Sequence, residues 1–146
     1  MKGKKGTGFM IHTSDDTNTF IEVAEDCNAE KGIEPPLKAD KKSIARMQYE
    51  LLKNYPYEFT SDELIFHLHV IRNQIPDEQK DKERERLFSK GQACMRSSSL
   101  SKKYGWGIHF DQNSKMAIYG VDSKEYSEFK KNPGIKHKKA MRSIKK

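Results

Sequence analysis

The sequence predicts a single α+β domain in which a small antiparallel sheet packs against three to four helices. Three observations lead there. The middle of the chain repeats apolar residues at helical spacing, two strand-like runs are joined by Asp111-Gln112-Asn113-Ser114, and a third such run lies near the N-terminus. A chain of 146 residues is the usual size of one domain, and seven Phe, six Tyr and regularly spaced Ile and Leu argue against disorder despite 34% charged residues. Composition divides the chain into a leader over 1–16, the domain over 17–132 and a basic tail over 133–146.

The leader is rich in Gly, Lys, Ser and Thr and reads as an extension of the domain. Asn18 to Asp26 follows as a strand, with Phe20, Glu22 and Ala24 on one side and Ile21 and Val23 on the other. Gly32 and the pair Pro35-Pro36 then mark a loop. Ser43 to Tyr55 has helical period, with Ile44, Met47, Leu51 and Tyr55 on one stripe and Gln48 and Leu52 beside it. Thr60 and Glu63 have the spacing of a capping box, which starts a second helix ending near Asn73. A third helix enters at Pro76 and ends near Gly91; Glu78 with Lys82 marks a solvated body from which only Leu87 and Phe88 dock. Ser97 to Ser101 is a serine-rich connection. The hairpin occupies 104–121, a short helix capped by Ser123 places Tyr126 and Phe129 inward, and the stretch after Gly134 offers a final strand.

The hairpin contains the most unusual pattern. At a period of two, Trp106, Ile108 and Phe110 share one face while Gly105, Gly107 and His109 share the other. Glycine weakens a strand unless something approaches its backbone closely. A packed element ranks ahead of a ligand groove as that something.

Charge and cysteines bound the function further. Of the formal charge of +7, residues 130–146 carry eight cations and no acid, so the body between 17 and 129 is slightly acidic. Such a tail attracts phosphates through counterion release but offers no aromatic ring to stack on a base, so nucleic-acid binding is not favoured. Cys27 and Cys94 lack C-x-x-C spacing, which leaves no readable zinc or dithiol motif and predicts free, buried thiols. No apolar run approaches the roughly 20 residues of a membrane helix, and the start lacks a signal-peptide core, so a cytoplasmic protein without membrane contact is expected.

Candidate chemistry concentrates between Phe88 and His109. Lys90, Arg96, Trp106 and His109 form the predicted binding set for a small anionic ligand or an acidic partner segment. Cys94, with cations near it, and His109 are the candidate catalytic pair, a thiol nucleophile and its base. His67 and His69 have H-x-H spacing but sit inside a helix, where residues two apart diverge, so neither metal nor cofactor is expected. No P-loop, G-x-S-x-G or dinucleotide fingerprint supports an enzyme class.

The stretches TFIEVAEDC, IARMQYELLKNYPYEFTSDELIF, RERLFSKGQACMRSSSLSKKYGWGIH and EYSEFKKNPGIKHKKAMRS resemble a family of small bacterial proteins classed as a domain of unknown function. The resemblance spans Thr17 to Ser143 and implies no catalytic residue, cofactor or substrate. In outline, the hairpin, the short helix and the KKAMRS ending are also similar to the N-terminal domain of TfoX-type competence regulators, which implies α+β architecture. The leading expectation is therefore a non-catalytic binding module, followed by a Cys94/His109 enzyme and then by nucleic-acid binding through the tail.

Overall fold

A computed structural model of the chain describes residues 13–37, 42–90 and 94–143. Its sheet holds β1 (Thr19–Glu22), β2 (Trp106–Phe110), β3 (Met116–Gly120) and β4 (Lys136–Lys139) in the order β3-β2-β1-β4. The β2–β3 hairpin forms as the sequence predicts. Asp111 closes its connection, because its carboxylate accepts from the backbone N–H of Asn113 at 2.8 Å and of Lys115 at 2.9 Å. β1 pairs antiparallel with the other edge of β2, Phe20 opposite His109. Only Thr19–Glu22 of the expected longer strand stays in the sheet. The Val23 N–H leaves the ladder for the Tyr126 hydroxyl and the Ala24 N–H for the Ser101 carbonyl.

The sheet is mixed and not purely antiparallel, because β4 runs parallel to β1, with Thr19 opposite Lys136. The reason is the path of the chain. Between β3 and β4 it passes through α5 (Lys124–Lys131), capped by Ser123 as expected, and a helical crossover returns the chain in its original direction.

Four further helices belong to the layer on the opposite face: α1 (Ile44–Asn54), α2 (Ser61–Asn73), α3 (Lys80–Phe88) and the single turn α4 (Ser99–Lys102). The capping box of α2 is complete. Thr60 Oγ1 accepts from the Glu63 N–H at 3.1 Å and Glu63 accepts from the Thr60 N–H at 2.8 Å. Leu64 and Leu68 are buried on its inner stripe. In α1 the inner stripe is Ala45, Gln48 and Leu52, one residue round from the predicted one, while Ile44 and Tyr55 are exposed. In α3 only Phe88 is buried, with Leu87 half-buried beside it. Gly91, the expected cap of that helix, lies outside the described residues.

The core forms where these helices meet Ile21, Trp106, Ile108, Phe110, Met116 and Ile118. Burial of this apolar surface is the main stabilising contribution. On the other face α5 lays Tyr126 and Phe129 against Phe20. Both ends of the described chain are tied down. Ser14 Oγ donates to Asp62 at 2.7 Å, and Asp15 accepts from the Asp62 N–H at 2.8 Å, so residues 13–15 of the expected leader sit on the first turn of α2. Lys138 pairs with Asp16 at 2.8 Å, and Arg142 Nε donates to Glu25 at 2.9 Å. No helix among the described residues is long and apolar enough to cross a membrane.

Candidate functional site

The glycine face of β2 is a packing surface. A Cβ on Gly107 would lie 2.6 Å from the tip of Phe20 and 2.7 Å from the Tyr126 ring. Gly105 adopts φ +79°, where a side chain strains the backbone, and its α-carbon faces the Lys31 carbonyl so closely that a Cβ would collide with it. Between them Trp106 is buried on the helical face, its indole N–H donating to the Ile33 carbonyl at 2.8 Å. The two glycines therefore let α5 and the loop around Lys31 close onto the strand.

The predicted binding residues do not converge. Trp106 and His109 point to opposite faces of the sheet. Arg96 Nε donates to the Lys139 carbonyl at 2.7 Å, tying β4 to the segment before α4. Lys90 is exposed beyond the end of α3. His109 belongs to an aromatic cluster under α5. Its Nδ1 lies 2.8 Å from the Tyr57 hydroxyl, which lies 3.0 Å from that of Tyr119, and its ring stacks on Phe129 at 4.0 Å between centroids. Burial pulls the imidazole below its ordinary pKa, against the opposing charge of Asp111. Burial, and then the hydrogen bond to Tyr119, push the Tyr57 hydroxyl well above the usual tyrosine range.

Cys94 lies elsewhere, at a cavity of about 410 Å³ between α1, α2, α3 and residues 94–99. That volume falls in the range of small-molecule sites. Cys94 and Cys27 are both free thiols as expected, but half-buried and not buried. The histidine that shares the Cys94 cavity is His69, not His109. His69 is itself engaged, with Nε2 3.0 Å from Glu83 Oε1. Arg86, and then His69, hold the Glu83 carboxyl down at about 2. A carboxylate so held keeps His69 oriented, which leaves the imidazole poorly placed as a base for Cys94.

The lining explains what the cavity can hold. Ile44, Ile65, Leu68, Leu87 and Met95 make most of it apolar, interrupted by the polar side chains of Gln48, His69, Arg72 and the serines at the start of α4. Ile65, Leu68, His69 and Arg72 recur at three- and four-residue spacing, so one stripe of α2 faces the space. The Arg72 guanidinium has no ion pair or hydrogen bond among the described residues. Gln48 is only 9% exposed and accepts from Ser98 Oγ at 2.7 Å. Sequence reasoning missed Arg72 and Gln48 as site residues. The available signal was a glutamine on the inner stripe of an amphipathic helix, since a buried amide needs partners.

Among the described residues no cluster of His, Cys, Asp and Glu is arranged to hold a metal ion. A family model described as a family of unknown function (DUF6157) matches residues 11–146. No curated protein and no solved structure matches the chain.

Proposed function

We propose that this chain, which belongs to the DUF6157 family of unknown function, is a non-catalytic binding module for a small anionic molecule. The proposed seat is the cavity between α1, α2 and α3, in place of the strand face to which the sequence pointed. One observation carries the reading: a largely aliphatic space of about 410 Å³ has at its wall a guanidinium without a partner among the described residues. Apolar walls provide affinity in proportion to the ligand surface removed from water, and a single cation selects the sign of the head group. The engagement of His69 with Glu83 speaks against using Cys94 as an activated nucleophile. The pairing of Lys138 with Asp16 and of Arg142 with Glu25 speaks against a free nucleic-acid arm.

Anilinonaphthalene sulfonate tests the seat, because it combines an apolar body with one fixed negative charge. Folded protein should enhance its fluorescence. Ala45→Phe, which fills the cavity, and Arg72→Ala, which removes the cation from an exposed position, should each weaken binding about tenfold or more while circular dichroism stays unchanged. Binding that survives both substitutions would overturn the proposal.

A further inference from the structure

We infer that the ligand carries a hydrogen-bond acceptor within its apolar body, in addition to its anionic group, and that the side-chain amide of Gln48 reads it. The inference rests on the proposed cavity function and makes it chemically specific. Ser98 Oγ accepts from the Leu100 N–H at 3.2 Å and lies 2.7 Å from Gln48 Oε1. The serine hydrogen is thus given to Gln48, which turns the amide oxygen toward Ser98 and the amide N–H groups away from it. Those N–H groups have no partner among the described residues. They belong to a side chain more than nine-tenths buried that lines the cavity.

The amide nitrogen is reached by solvent through the cavity, and a ligand oxygen placed against it takes the place of water while the rest of the ligand is packed on apolar wall. The surroundings limit what the oxygen can be. Ile65, Leu68 and Leu87 face the same space, so a charged second group would lose far more hydration there than a ketone or ether oxygen, whose loss one hydrogen bond can offset. Gln48, in the second turn of α1, and Arg72, in the last turn of α2, border the same space. The chemical class is an aliphatic acid with one oxygen along its chain, the anion at Arg72 and the oxygen at Gln48.

Octanoate and the series of oxo-octanoates, which differ by one ketone oxygen moved along the chain, make the test. Binding to the full chain is measured by calorimetry, and the Gln48 side-chain N–H resonances are followed by NMR. At least one oxo-octanoate should bind roughly fivefold to tenfold tighter than octanoate, and it should shift those resonances where octanoate does not. Gln48→Met, which keeps the length and removes the donors, should erase the preference. Gln48→Glu keeps an acceptor for Ser98 and decides the matter if the methionine variant does not fold. If octanoate binds but no oxo-octanoate is preferred, or if the preference survives the loss of the amide, the inference fails and the cavity reading stands. If neither octanoate nor any oxo-octanoate binds, both fall.

Discussion

At the scale of single residues, the environment of β2 turns small groups into strict requirements. Gly107→Val puts a Cβ within 2.6 Å of the Phe20 ring and 2.7 Å of the Tyr126 ring, before its methyl groups are counted. Over-packing of this kind costs about 1–3 kcal/mol, to be read as a lower denaturant midpoint with an unchanged slope. His109 makes a pH prediction. Its folded pKa is lowered by burial, so the unfolded chain takes up a proton, around its ordinary value of about 6.5, that the folded chain resists. This contribution is fully present above that pH. Stability should therefore fall as pH drops from about 7.5 to 5, and the fall should be smaller in His109→Phe, which keeps the stack on Phe129 and cannot titrate. Equal pH profiles for the two proteins would contradict it.

At the scale of elements, legibility in the sequence tracked how local the determining interaction is. The α2 start was readable because Thr60 and Glu63 satisfy each other within one turn. Thr60→Ala should cost about 1 kcal/mol, visible as a lower unfolding temperature, and should leave the Arg72 end of the helix in place. The hairpin was readable for the same reason, since Asp111 binds N–H groups two and four residues on. The inner stripe of α1 was not readable to the residue. Ile44 and Tyr55 extend the apolar pattern at its two ends, but the sheet and α4 select the flank with Ala45, Gln48 and Leu52. The parallel pairing of β4 was also hidden, because it depends on the crossing of α5 and on a partner strand far away in the chain. Of the candidate site, Cys94 was legible as a residue of interest. Its neighbours Gln48 and Arg72 were not, because three helices must pack before they border one space.

At the scale of the whole molecule, the basic end of the chain is a structural part. The sequence separates eight cations from the body, yet Lys138 pairs with Asp16, and Lys139 and Arg142 with Glu25. The Glu25 carboxyl is pulled below its ordinary range by Arg142 and then by Lys139. Exposed pairs of this kind contribute little each, and the larger loss on removing the segment is the ladder between β1 and β4. A chain ended at Asn132 should unfold at a temperature lower by more than about 4 °C, the shift that roughly 1 kcal/mol produces in a small domain. An unchanged unfolding temperature would mean that the segment is dispensable to the fold.

The position of β1 between β2 and β4 has a consequence for how the molecule is made. Among the described strands it leaves the ribosome first, yet its neighbours are supplied by Phe110 and by Lys136, near the other end of the chain. Throughout most of synthesis Phe20 and Ile21 therefore travel with both edges of their strand open. Local helices can form early, but the sheet closes only when a late-made segment returns to an early one, a step that is intrinsically slow. The growing chain thus spends its longest interval as an aggregation-prone intermediate, and its dependence on chaperones should end only once β4 has emerged.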